Sequence, residues 1–141
     1  MTFKDEVFDY IKNQYGADPE YLWMWFPDYA VFRHKSNRKW FAFTGSLSIK
    51  KLGVDEDRTV DILNLKMNDE MTVDFLKSQA GIFPGYHMSR GKWITVLLDG
   101  TVQIENIKTL IDESYRVTNI KIKAKNGGKK NGKSNTAKRK P

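Results

Sequence analysis

Hydrophobic positions in the first fifteen residues recur at helical spacing. Phe3, Val7 and Ile11 stand four apart, Thr2 precedes them as a capping residue and Gly16 follows, so the pattern predicts a helix over 3–15. The loop "GADPEY" comes next, and then "YLWMWFP", an aromatic-rich segment with no clean period. "AVFRHK" and "RKWFAFTG" read as strands joined by a tight turn at Ser36-Asn37, which sets Phe32 opposite Phe41 and Ala30 opposite Phe43. The acidic loop "LGVDEDRT" leads into a third strand, "VDILNLKM". Asn68 stands where a cap for a second helix belongs. That helix is expected to run to about Gln79, with Met71 and Phe75 inward and Gly81 at its end. "GYHM" and "KWITVLL" flank Arg90-Gly91 as a second hairpin, which pairs Met88 with Trp93 and His87 with Ile94. Asp99-Gly100 makes a further turn, and a closing helix over 104–117 presents Ile107, Leu110, Ile111 and Tyr115 on one face. This order predicts an α+β fold: an antiparallel sheet with helices packed on one face and two protruding β-hairpins.

Composition narrows the class. The chain of 141 residues is expected to form one domain over 1–120, with enough hydrophobic residues (40%) to build a core. It has no cysteine, which excludes disulfides and thiolate metal sites and points to the cytoplasm. No apolar run is long enough for a membrane span. The net charge of +7 is unevenly placed. Residues 1–120 carry 15 Lys and Arg against 17 Asp and Glu, whereas 121–141 carry nine cations and no acid. The segment 121–141 cannot bury enough apolar surface to offset its ordering entropy and reads as a disordered basic tail.

The chemistry-bearing residues are few. The strand pairing above turns His87 toward Ile94, Val96 and Leu98, so a structural, hydrogen-bonded histidine is the expectation, without catalytic partners. His34 and His87 are the only histidines, and "DEDRTVD" lacks the glycine and terminal glutamate of a calcium loop, so no metal site is expected. "TGSLSIKK" lacks the second glycine of a phosphate loop, and no nucleophile elbow appears. No cofactor and no enzyme activity are expected. The positive signal is charge. Arg33, Lys35, Arg38, Lys39, Lys50 and Lys51 fall in a stretch without acids, and Arg90 and Lys92 sit at the second hairpin tip. Two basic tips on an acidic body suit phosphate contact, with Trp40 and Trp93 near enough to stack. The competing expectation is a protein- or peptide-binding surface built on "YLWMWF", and a third is a small-ligand pocket around Tyr86, His87 and Tyr115.

"AVFRHKSNRKWFAF", "VDILNLK", "PGYHMSRGKWITVLLDG" and "LIDESYRVT", in that order, resemble the MmcQ/YjbR family of small bacterial proteins over about residues 20–118. The resemblance implies a CyaY-like (frataxin-like) sandwich and a double-wing mode of DNA binding; separately from it, the chain is expected to be a monomer. The resemblance implies no enzyme activity or cofactor. Its pattern falls on Arg33, Lys39, Trp40, Phe41, Lys66, Gly85, Tyr86, His87, Met88, Trp93, Asp99, Gly100, Ser114 and Tyr115. Where the family has Asn-Lys after His-Met and a histidine before the tryptophan, this chain has Ser89, Arg90 and Lys92. Charge is kept and a base-reading amide is lost, which favours phosphate contact of low sequence specificity. Iron is not carried over from frataxin-like folds, because the first helix offers only Asp5, Glu6 and Asp9 in place of an acidic ridge.

Overall fold

Thr2 and Asp5 start the first helix by exchanging hydrogen bonds: each side chain accepts from the other's backbone N–H at 3.1 Å. The helix, α1 (Phe3–Tyr15), ends at Gly16 in the left-handed region, as the sequence predicts. The computed structural model describes residues 1–88 and 91–120. Along these residues follow β1 (Ala30–Arg33), β2 (Trp40–Ser48), a 3-10 turn (Ile49–Leu52), β3 (Thr59–Lys66), α2 (Glu70–Leu76), β4 (Ile82–Pro84), β5 (Trp93–Leu97) and α3 (Ile104–Thr118). The five strands form one antiparallel sheet in the order β1-β2-β3-β5-β4.

One face of the sheet supplies Phe32, Leu63, Leu65, Ile94 and Val96 to a core completed by Val7 and Ile11 of α1, Val73 of α2, and Ile107 and Ile111 of α3. All three helices thus bury their apolar stripes against the same face. Helix α1 is tied to α3 through Asp112, whose carboxylate accepts from the hydroxyls of Tyr10 (2.7 Å) and Tyr15. Burial, and the hydrogen bond to that carboxylate, push the Tyr10 hydroxyl up to about 12 and the Tyr15 hydroxyl higher still.

The first hairpin departs from the expected register. Phe32 pairs with Ala42 and Arg33 with Trp40, so Phe41 is an extra residue on β2. Phe41 and Ala42 both join the helix-side core, while Trp40 and Phe43 turn to the other face and lie nearly parallel, 6.5 Å apart. The expected Phe32–Phe41 and Ala30–Phe43 pairs are therefore not formed. The β2–β3 register ends at Ala42–Leu65, and beyond it Phe41 O and Lys66 N are joined through a helix residue. That residue is Ser114 of α3: its hydroxyl donates to Phe41 O (2.5 Å) and accepts from Lys66 N (2.8 Å).

Helix α2 is shorter than predicted and rotated. Asp69, not Asn68, is the cap, and its carboxylate accepts from both the backbone N–H and the hydroxyl of Thr72 at 2.8 Å. Those two bonds hold the carboxyl below the usual aspartate range. The Met71/Phe75 pair and the Val73/Leu76 pair lie on nearly opposite sides of the helix, about 150° apart at 100° per residue. Val73 and Leu76 face inward, and Met71 and Phe75, expected inside, are 80% and 66% exposed.

The opposite face of the sheet is also covered. Leu47, Val60, Ile62 and Leu97 form a second apolar cluster with Ile49, Leu52, Val54, Phe83 and Tyr86. The "YLWMWFP" segment lies over its β2 side as two successive turns, closed by Phe26 N to Trp23 O (3.3 Å) and Tyr29 N to Phe26 O (3.0 Å). Trp23 and Tyr29 pack edge-on against Phe43, and Tyr29 fills the space over Gly45. The corner residues Met24 and Trp25 point away and are 84% and 85% exposed.

Candidate nucleic-acid interface

Strand direction decides where the basic residues meet. β1, β3 and β4 run one way and β2 and β5 the other, so the β1–β2 loop (34–39), the end of β3 and the β4–β5 loop (85–92) share one end of the sheet. The two loops are centred three strand spacings apart, about 14 Å at ~4.8 Å per strand. That end carries Lys35, Arg38 and Lys39 in the first loop, Lys66 at the close of β3 and Lys92 entering β5. Arg90 lies outside the described residues. Lys50 and Lys51 follow β2 and therefore sit at the far end of the sheet, where Lys50 is paired with Asp57 at 2.6 Å. They do not join the others. Lys66, in the family pattern but not assigned to binding from the sequence, stands between the two loops because β3 is the central strand, a fact that needs the strand order.

The first loop is no free wing. His34 is 2% exposed, and its Nε2 is 2.7 Å from the Thr118 hydroxyl. Asn37 Nδ2 donates to the carbonyls of Thr118 and Ile120, both at 2.9 Å, which caps the open carbonyls at the end of α3. Asn37 Oδ1 accepts from Lys39 N at 2.8 Å, and Arg38 takes the left-handed conformation at φ 63°. Asparagine chemistry thus replaces the tight two-residue turn expected at Ser36-Asn37. Arg33 lies over the Trp40 ring at 5.9 Å and is paired with Glu20 at 3.1 Å, and Arg38 approaches the same carboxylate at 3.7 Å. Lys35 and Lys39 are exposed and have no ion pair among the described residues.

His34 gives this loop a pH dependence. Burial lowers its pKa below the ordinary 6.5, so the folded chain resists a proton that the unfolded chain accepts. The folded pKa is depressed, and stability is therefore lost as pH falls below about 6.5 toward the folded value. Urea unfolding at neutral pH and below 6.5 is expected to show this decline, and His34→Gln is expected to flatten it.

The second loop also differs from the expected hairpin. β4 pairs Ile82 with Val96 and Pro84 with Ile94, and the ladder closes at Gly85 N to Trp93 O (2.9 Å). The expected pairs Met88–Trp93 and His87–Ile94 do not form. A buried ring of bonds takes the chain out of the strand at Tyr86. Asn64 Nδ2 donates to Tyr86 O (2.9 Å), Tyr86 N donates to Thr95 Oγ1 (2.8 Å), and the Thr95 hydroxyl donates to Asn64 Oδ1 (2.6 Å). His87, expected to be buried, is exposed at φ 57° with its ring stacked on Tyr86 at 4.0 Å. The strand alternation used to turn it inward stops at Pro84. Met88 is half-buried in the same loop.

The other sequence candidates are structural in placement. Trp93 is 9% exposed and cannot stack on a ligand, and Trp40 is half-buried under Arg33 and Trp23. Asp99 is partly buried, which alone would raise its pKa. The Thr101 hydroxyl and N–H, with the Arg58 guanidinium at 3.0 Å, hold it below the usual range. Tyr115 stacks on Tyr15 at 3.8 Å on the helix side, while Tyr86 belongs to the opposite face, so Tyr86, His87 and Tyr115 share no pocket. An open cleft of about 560 Å³ lies elsewhere, between α2 and α3, lined by Leu76, Gln79, Val102 and Asn106 among others. Among the described residues no group of three or more His, Asp or Glu side chains is arranged to hold a metal, and no helix is long and apolar enough to cross a membrane.

Comparison with known proteins gives a consistent result. The profile described as YjbR matches residues 12–117. A Bacillus subtilis (strain 168) protein described as "Uncharacterized protein YyaQ" is 38% identical over 118 residues, spanning 84% of this chain and 99% of that one. A crystal structure of a Pseudomonas syringae protein superposes with a TM-score of 0.79 at 39% identity, covering 82% of this chain and 97% of that one. The crystal structure of Deinococcus radiodurans protein DR2400 superposes with a TM-score of 0.62 at 26% identity, covering 84% and 80%.

Proposed function

The chain belongs to the YjbR family, and from that premise we propose that it is a non-enzymatic DNA-binding protein of CyaY-like fold. It contacts phosphates from the end of the sheet where the β1–β2 and β4–β5 loops meet, as a cytoplasmic monomer without a cofactor. The observation that carries this reading is the shared end: two cation-bearing loops about 14 Å apart, with Lys66 between them, a spacing close to the ~12 Å width of a major groove. The nine cations of 121–141 would add salt-sensitive affinity for a polyanion. Lysines and arginines without base-reading amides favour salt-sensitive binding of low sequence preference.

The test is duplex titration across salt concentrations. The triple variant Lys35→Glu/Arg38→Glu/Lys39→Glu is expected to weaken binding by about a hundredfold and to flatten the salt dependence by roughly 0.9 log units per lost phosphate contact. Removing 121–141 is expected to reduce affinity and leave residual binding. Unchanged affinity in the triple variant, or complete loss on tail removal alone, overturns the loop-based reading. A second reading, a protein or peptide contact through "YLWMWF", draws on one observation, the exposure of Met24 and Trp25.

A further inference from the structure

The exposed aromatic turn and the basic loop are neighbours. Trp23 anchors the turn by packing on Trp40 at 5.9 Å, and Trp40 is the ring under Arg33 at the base of the 34–39 loop. Trp25, at the turn's corner, is 85% exposed and has no ring partner among the described residues. Phe26 is half exposed, stacked on Tyr29 at 4.8 Å. A large free indole, on a turn that packs through Trp23 and Trp40 against the base of the basic loop, suits a ligand offering both a π-face and a backbone charge.

We propose, resting on the nucleic-acid reading above, that this side of the molecule takes unpaired nucleotides in preference to duplex. Trp25 stacks on a base while Lys35, Arg38 and Lys39 hold the adjoining phosphates. Bases within a duplex are already stacked on one another, so only a single strand offers a face to Trp25. The charge around the patch fits once the ion pairs are counted. Glu20 is paired with Arg33 at 3.1 Å, which leaves the exposed Arg38, 3.7 Å from the same carboxylate, free to turn to a phosphate, and Asp18 is paired with Lys12 at 2.8 Å. Asp28, in the second turn, has no ion pair among the described residues and opposes an anion there. Asp28 sets a limit on affinity that substitution removes.

The experiment titrates the full chain with oligo(dT), oligo(U) and a duplex of equal length, reading tryptophan fluorescence and anisotropy. Stronger binding of either single strand than of duplex, with quenching, is expected. The ratio of oligo(dT) to oligo(U) identifies the preferred sugar. Trp25→Ala, an exposed position that leaves the fold intact, is expected to lose the quench and about tenfold in single-strand affinity while duplex affinity stays. Asp28→Asn is expected to tighten single-strand binding severalfold. Equal binding of single strand and duplex, both untouched by Trp25→Ala and both lost in the Lys35/Arg38/Lys39 reversal, overturns the stacking proposal and leaves the phosphate reading standing. Binding of neither overturns both. Concentration-dependent dimerisation abolished by Trp25→Ala, without oligonucleotide binding, assigns the patch to protein contact and overturns the proposal.

Discussion

Gly85→Ala is expected to cost roughly 2–4 kcal/mol of stability, read as a shift in the urea midpoint, and to weaken duplex binding although no charge changes. A Cβ at this position would lie 2.5 Å from the Trp93 Cβ and 3.0 Å from the Trp93 carbonyl. Neither neighbour can yield easily. Gly85 N is bonded to Trp93 O at 2.9 Å, and Tyr86 is held on both its backbone groups by the Asn64–Thr95 ring. The strand would have to part at its last rung, and the 85–92 loop would move with it. Wild-type stability in Gly85→Ala would show that this end of the sheet is more pliant than its hydrogen bonds imply. Lost stability with wild-type duplex affinity would separate the loop's position from binding, against the proposed function.

Ser114→Ala is expected to destabilise by about 2–3 kcal/mol, more than a solvent-exposed hydroxyl would. One hydroxyl on α3 serves two backbone groups just past the last β2–β3 pair, the Phe41 carbonyl and the Lys66 N–H. Alanine leaves both unpaired in a site that is fully buried. Hydrogen exchange gives a local readout: the Lys66 amide is expected to exchange faster relative to its neighbours on β3. An unchanged Lys66 amide with an unchanged midpoint would mean that water replaces the hydroxyl without cost.

The legible parts of this fold are those set by short-range chemistry. Thr2, Asp5 and Gly16 specify α1 by a capping box and a left-handed stop, and those signals lie within a few residues of each other. The amphipathic stripe of α3 is equally local, with Ile107 and Ile111 buried where the period puts them. Structure departs from the sequence pattern where residues distant in the chain decide the local outcome. Asp69, not the expected Asn68, caps α2, and packing against the sheet buries Val73 and Leu76 in place of Met71 and Phe75. The β4–β5 register turns on Asn64, far from Tyr86 in sequence, capturing the Tyr86 carbonyl. His87 therefore leaves the strand and is exposed, although its own neighbours alternate like a strand.

The candidate site divides the same way. That Lys35, Arg38 and Lys39 crowd a turn is written in their adjacency, and the family is recognisable from motifs in order along the chain. The sequence by itself determined α1, α3, the order of elements, the family and the concentration of cations in loops and after residue 120. Strand order and direction were decided only by the folded sheet. They bring Lys66 and Lys92 to the same end as the first loop and send Lys50 and Lys51 to the other. Tertiary packing also decided which tryptophan is free. Trp93 fills the sheet, Trp40 lies under Arg33, and Trp25 is left at a turn corner. The physical reason is that a strand pattern specifies which face a side chain takes but not which strand lies beside it. Exposure of an aromatic depends on that neighbour.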